Sequence, residues 1–344
     1  MLNSCSSNAI LTKIRAMLGK RLTQADYAQM ARKNDVGEVA ALLRENPSYE
    51  AALRNVEESS VHRGQLEALL KKDLFYKYSA LRRYDFSGGD FYDFIIVQTE
   101  IDEILRKLVL MQSGELVDFV VDLPSYMLGK TSFSLMALAK AKNFEEMLAC
   151  MPHTPYPSLL QRFAQQDIRE VNILDCENAL YTYYYQYLTD TIRKQFRGAA
   201  RKELLEAVSL EVESLNIQMI FRMKIYFHLQ PEVVRRYLYP YSYRIKKAQL
   251  EDLLKADGFE EMCAVLRMSA DEKSRISPAD GIEPYTHRLC ARLEGRLLRF
   301  TTSAPVAMYT FFTLRRIEVE NIITVIEGVR YRLPQEEIMQ MLIL

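Results

Sequence analysis

The sequence predicts an all-α protein built from three related segments, and three observations predict it. Glycine and proline number only 12 and 11 among 344 residues, roughly 7% against about 12% in average domains. Few breakers mean few tight turns, which favours long helices over a many-stranded sheet. Apolar residues recur at helical spacing, as at Val212, Leu215, Met219 and Ile220. The chain also repeats itself with a period of about 110 residues.

Near the start of the chain, Thr23 is placed as an N-cap, because its hydroxyl can accept a free first-turn N–H. The stretch Lys33-Asn34-Asp35-Val36-Gly37-Glu38-Val39 is the first, degenerate copy of a polar break followed by a short apolar helix. Glu100-Ile101-Asp102-Glu103-Ile104 lies on a long helix, with its acids on one face. Ser132 is read as a second N-cap. Ala141-Lys142-Asn143-Phe144-Glu145-Glu146-Met147 repeats the break-and-helix pattern, with Phe144 lying 108 residues after Val36. Pro47 with Tyr49, and Pro152 with Tyr156, close the first two copies in similar fashion.

Glu213-Ser214-Leu215-Asn216-Ile217 matches the long-helix element 113 residues after Glu100. Lys255-Ala256-Asp257-Gly258-Phe259-Glu260-Glu261-Met262 is the third break, with Phe259 standing 115 residues after Phe144. Glu318-Val319-Glu320-Asn321-Ile322 is the last long-helix copy, 105 residues after Glu213. Pro334, ahead of Gln335 and Glu336, suits the first turn of a final helix. Each unit therefore holds two or three short helices followed by two or more long ones. The units are placed at 1–116, 117–230 and 231–344, where periodicity weakens, with Pro231 marking the second boundary.

Composition narrows the function. Lysine plus arginine equals aspartate plus glutamate, 45 against 45, so no global field exists to hold a polyanion and nucleic acid is not expected as a partner. The cysteines Cys5, Cys150, Cys176, Cys263 and Cys290 form no CxxC pair. Their odd count and the want of a signal-peptide pattern lead us to expect reduced thiols in the cytoplasm. The longest weakly polar run, 304–314, falls far short of the roughly 18 apolar residues that span a bilayer.

Several motifs imitate chemistry. Gly129-Lys130-Thr131 ends like a phosphate-binding loop, and the apolar run 116–123 before it could pass for a strand. The loop needs a glycine five residues ahead of Gly129, where Pro124 stands with no N–H and a fixed φ. His62, His153, His228 and His287 share no metal-ligand spacing. Glu213 and Glu318 could do acid–base work if buried together, but their repetition with Asn216 and Asn321 points to a structural role, bonding neighbouring helix ends inside each unit.

Two basic stretches, Arg193, Lys194, Arg197, Arg201, Lys202 and Arg235, Arg236, Arg244, Lys246, Lys247, invite a partner. The second is interleaved with Tyr237, Tyr239, Tyr241 and Tyr243. Such patches bind single strands in other settings, or an acidic protein. The run Tyr181-Thr182-Tyr183-Tyr184-Tyr185-Gln186-Tyr187 is expected to pack between units, its hydroxyls reaching water or backbone. No catalytic, cofactor-binding or metal-ligating residue is assigned.

Three stretches carry a family resemblance: Asn8-Ala9-Ile10-Leu11-Thr12-Lys13-Ile14-Arg15-Ala16-Met17-Leu18; the helix 213–224 with Glu213, Asn216 and Arg222; and the ending 317–337 with Glu318, Asn321, Gly328 and Leu333-Pro334-Gln335-Glu336-Glu337. In their order, and with the threefold repeat, the chain resembles the C subunit of archaeal and bacterial V-type (A-type) ATPases, known in eukaryotes as the d subunit. Two positions depart from the pattern: Glu103 stands where the other copies have Asn, and Glu327 where the repeat would place Arg.

The resemblance implies three pseudo-equivalent helical units arranged as a funnel around a central cavity, on the cytoplasmic face of the membrane. Its implied partners are the central shaft, made of the D and F subunits and seated in the funnel, and the proteolipid rotor ring beneath. It implies a non-catalytic coupling that transmits torque, with no cofactor. The alternatives are a helical-repeat adaptor unrelated to rotary ATPases and a phosphate-handling enzyme around Lys130. Repeats near 110 residues are far longer than the roughly 34–47 of common solenoids, which counts against the adaptor.

Overall fold

The computed structural model describes residues 2–85, 89–114, 123–240, 244–274, 276 and 281–344. Among them every regular element is helical. The helices are α1 (Leu2–Leu18), α2 (Gln24–Met30), α3 (Val36–Glu45), α4 (Glu50–Leu53), α5 (Arg63–Arg82), α6 (Phe94–Ser113), α7 (Leu135–Lys140), α8 (Phe144–Ala149) and α9 (Tyr156–Leu160). They continue with α10 (Ile173–Gln195), α11 (Gly198–Phe221), α12 (Pro231–Arg235), α13 (Lys247–Lys255), α14 (Phe259–Val265), α15 (Ala270–Ser274), α16 (Glu283–Phe300), α17 (Ala304–Arg330) and α18 (Gln335–Met341).

The three polar breaks of the sequence are three helix starts built alike. In α3, α8 and α14 a third-position glutamate bends back to accept a backbone N–H four residues upstream. Glu38 takes Asn34 N at 3.1 Å, Glu146 takes Lys142 N at 2.8 Å and Glu261 takes Asp257 N at 2.8 Å. Asp35 and Asn143 add the reciprocal bond, accepting from Glu38 N and Glu146 N at 2.9 and 2.8 Å. Gly258 has no side chain to do so. Each device satisfies donors that a helix start leaves orphaned.

Thr23 caps α2 as expected, in a reciprocal box with Asp26. Ser132 does not cap α7. That role falls to Ser134, whose hydroxyl accepts from Ala137 N at 3.2 Å, because the extended turn continues two residues further. Pro334 occupies the cap position of α18 rather than its first turn. The helix read over 213–224 is α-helical to Phe221 and then widens into a π turn, Arg222–Tyr226. The run 116–122, Tyr241 and Tyr243 lie outside the described residues, as does the proposed boundary at 116. Pro231 stands at the start of α12.

The chain forms two compact units, Met1–Gly88 with Arg197–Leu344, and Gly89–Phe196. In the first, α17 packs against α1, α5, α11 and α16. It is 27 residues long, about 40 Å at 1.5 Å per residue. Its buried hydroxyls are satisfied locally: Thr310 donates to Val306 O at 2.8 Å and Thr313 to Tyr309 O at 3.2 Å. One core of this unit joins the chain's beginning and end, with Val39, Leu43, Leu53 and Leu66 packed beside Ile322, Val325, Ile326 and Ile338.

In the second unit α6 and α10 form a long pair, with α7 against α6 and α9 against α10. Its two ends meet. Phe91 N donates to Gln195 Oε1 at 3.3 Å, and the Phe91 and Phe196 rings sit edge to face at 5.1 Å.

Candidate functional site

Three buried glutamates, one on each of α6, α11 and α17, are the repeated polar feature of the molecule. Each sits on a core-facing side of its helix, where an unpaired carboxylate would be costly. Each is satisfied by a segment far along the chain. Glu100 accepts the Tyr156 hydroxyl at 2.5 Å and the Ser132 N–H. Glu213 Oε2 accepts two backbone donors, Arg244 N at 2.6 Å and Ile245 N at 2.8 Å. Glu318 Oε1 accepts the Tyr49 hydroxyl and Arg315 Nη1, both at 2.6 Å.

Burial first, and the facing glutamate second, push the Tyr156 and Tyr49 phenols well above their ordinary values, so both remain donors across the neutral range. The third node carries more charge than the others. Arg315 also bonds Ser48 Oγ at 2.9 Å and lies 5.1 Å from the Tyr49 ring centre, while Lys77 stands 4.8 Å from that ring.

One helical turn beyond two of these acids, an asparagine clamps a backbone residue with both halves of its amide. Asn216 Nδ2 donates to Tyr239 O and its Oδ1 accepts Tyr239 N, each at 2.9 Å. Asn321 does the same to Ile343, at 2.8 Å for both bonds. A carboxylate accepts but cannot donate, so Glu103 at the corresponding position of α6 cannot form this clamp. It binds Arg106 instead at 2.6 Å, and after burial it is the cause that pushes the nearby Tyr126 phenol up to about 12.

The sequence places the acids correctly but their partners elsewhere. They do not cap helix ends inside their own segments. Glu100 and Glu213 reach forward to the segments that precede or hold the next short helices, and Glu318 reaches back to Tyr49. In the sequence Tyr49 and Tyr156 stand out only as markers of the repeat, and that recurrence is the one signal for them. Arg315 carries none.

The other candidates disperse. Gly129, at φ +74°, turns the chain so that Lys130 N bonds Met127 O at 3.0 Å. The next helix begins only at Leu135, so no helix N-terminus follows Thr131 to receive a phosphate. His62 Nδ1 caps α5 by accepting Gln65 N at 3.3 Å, while His153 and His228 are exposed. No group of three or more metal-binding side chains occurs among the described residues.

The first basic stretch divides between the two units, Arg193 and Lys194 in one, Arg197, Arg201 and Lys202 in the other. In the second, Arg235 is held by Glu251 through two bonds of 2.6 Å. The tyrosines of α10 reach back to residues of the segment 1–116: Tyr181 donates to Asp102 at 2.6 Å and Tyr187 to Asp90 O at 3.2 Å, and the Tyr184 and Tyr185 rings pack edge to face. Among the described residues no helix is long and apolar enough to cross a membrane.

Comparison with known proteins gives this arrangement a context. The chain is 20% identical over 344 residues to the A-type ATP synthase C subunit of Methanosphaera stadtmanae, a match covering 96% of this chain and 86% of that protein. It is 24% identical to the corresponding C subunit of Thermococcus gammatolerans, over 90% and 82% of the two chains. The C subunit of the Thermococcus kodakarensis A-type ATP synthase is 27% identical over 74% of this chain and 66% of its own length. The family model described as ATP synthase (C/AC39) subunit matches residues 10–341, which takes in α2 to α17, the three glutamate nodes and both clamping asparagines, Asn216 and Asn321; the chain belongs to that family.

Proposed function

We propose that this chain is the non-catalytic central-stalk coupling subunit of a rotary V-type ATPase or ATP synthase. The observation that carries the reading is the family match across residues 10–341, together with relatives named as C subunits of A-type ATP synthases. The chain's partners are then the shaft of D and F subunits on one side and the proteolipid rotor ring on the other, and it sits peripherally on the cytoplasmic side of the membrane. The segments 1–116, 117–230 and 231–344 form three pseudo-equivalent parts of a funnel that receives the shaft.

The physical build supports a torque-bearing role. A coupler must resist bending, and α6, α11 and α17 are each pinned at a buried acid to a segment remote in sequence. Glu100 is engaged at both oxygens by a backbone donor and a hydroxyl, Glu213 at Oε2 by two backbone donors, and Glu318 at Oε1 by a hydroxyl and Arg315, which suits fastening rather than proton transfer.

The test compares membrane vesicles from cells with and without this gene, alongside the ATPase activity of the detached soluble head. Loss of ion pumping with persistent head hydrolysis supports the coupling role. Unchanged pumping and hydrolysis overturn it in favour of a helical adaptor. Reversing the charges of Arg236, Lys246 and Lys247, which are exposed, should weaken assembly with an acidic partner surface, read by co-purification of the complex.

A further inference from the structure

Helix α16 carries a carboxyl group that none of the fastening described above uses. Glu294 is 0% exposed, and among the described residues neither of its side-chain oxygens has a hydrogen-bond partner. It lies where α16 packs against both α11 and α17. From α11 it is faced by Glu211 and Glu206, and from α17 by Arg316. From its own helix it acts on Cys290, one turn earlier.

The cation that faces it is committed elsewhere. Arg316 Nη2 bonds Glu211 Oε1 at 2.7 Å, and the other oxygen of Glu211 takes the Tyr309 hydroxyl at 2.6 Å. Glu294 is thus left beside two further acids with no donor of its own among the described residues. An ionised carboxylate in such a place has neither bulk solvent nor, among the described residues, a bonded counter-charge to stabilise it. The neutral acid merely forgoes hydrogen bonds, a far smaller cost. Burial first, then Glu211, push the acid well above the usual carboxylate range.

We infer that Glu294 is a protonation-dependent latch: α16 seats between α11 and α17 only around the neutral acid, and ionising Glu294 releases the helix. The proton goes to solvent and the carboxylate follows it, by opening of α16. This inference stands apart from the coupling role and survives its failure.

The seated state holds a proton that the open state gives up at about pH 4.3, the ordinary glutamate value, so seating weakens as pH rises. Between the open-state and seated-state pKa values, the opening constant of α16 grows about tenfold per pH unit. Neighbouring groups do not imitate this. His287, also on α16 and acted on by Glu320, Glu283 and Arg316, has its pKa lowered by burial. It therefore favours the folded state more as pH rises, the opposite trend. The Cys290 thiol is pushed up by burial and does not titrate below about pH 8.

The test measures amide hydrogen exchange of α16 in the full chain from about pH 5.5 to about pH 8, corrected for intrinsic exchange rates. The wild type is expected to show the tenfold-per-unit rise in opening, and Glu294→Gln to show a flat profile with full protection at the upper end. Equal profiles overturn the latch, as does a variant less protected than wild type at every pH, which would mean the ionised form is the one being held. The infrared carbonyl band of a protonated carboxylic acid supplies a reading on the wild type alone. Its presence at neutral pH, fading as α16 opens, supports the latch even where the variant fails to fold. Its absence at neutral pH refutes it.

Discussion

A buried glutamate on a core-facing helix side is a demand that another part of the chain must meet, and α6, α11 and α17 meet it in three chemically different ways. Where the donor is a tyrosine hydroxyl, removing it strands the acid. Tyr156→Phe leaves Glu100 with the Ser132 N–H alone, and we expect a loss of about 1.5–3 kcal/mol, typical of a hydrogen bond to a charged group, read by urea unfolding. The asparagine clamps make a sharper case because the amide supplies donor and acceptor at once. Asn216→Asp keeps the acceptor for Tyr239 N but turns an anion toward Tyr239 O. It should cost about 1–3 kcal/mol, whereas Asn216→Ala loses both bonds without adding repulsion. A smaller loss for Asp than for Ala in the same unfolding series would refute this account of the clamp.

At the scale of the element, two glycines in helices predict opposite outcomes from one substitution. A Cβ on Gly328 of α17 would stand 2.5 Å from Ile338 Cγ1, so α18 can approach only because that side chain is missing. Gly328→Ala should lift α18 and cost about 1–3 kcal/mol, the usual range for overpacking. Gly295 of α16 meets nothing within 4 Å. Gly295→Ala there removes backbone entropy from the unfolded chain and should stabilise by about 0.5–1 kcal/mol. Thermal melts of the two variants check both signs. The repeated helix starts belong to this scale too. Their glutamates, Glu38, Glu146 and Glu261, explain why the repeat is most legible there: the bond is made within four residues, so it is written into adjacent sequence.

At the scale of the molecule, the second unit begins and ends at one place, since Phe91 meets both Gln195 and Phe196. A unit whose ends adjoin is built like an inserted domain and can fold apart from its host. Residues 89–196 expressed alone should therefore be helical by circular dichroism with a cooperative melt, and a non-cooperative melt would deny the unit its independence. The other unit depends on both ends of the chain. Stopping at Pro334 deletes the buried Ile338 and Leu342 and unties Asn321 from Ile343. We expect a loss of about 3–6 kcal/mol from the two apolar side chains, measured by denaturant unfolding of the truncated chain.

Read alone, the sequence determined the helical class, the period of the repeat, the cap at Thr23, and the helix starts after Asn34, Asn143 and Gly258. Each of these rests on interactions spanning a few residues or on average periodicity, and such information is local. Only the tertiary structure decided that Glu318 is answered by Tyr49, 269 residues away, that residues 89–196 gather into one compact unit and the two ends of the chain into another, and that Glu294 is enclosed without a partner among the described residues. Periodicity tells which face of a helix turns inward but not which helix it meets, and the cost or use of a buried charge is set by the neighbour it meets.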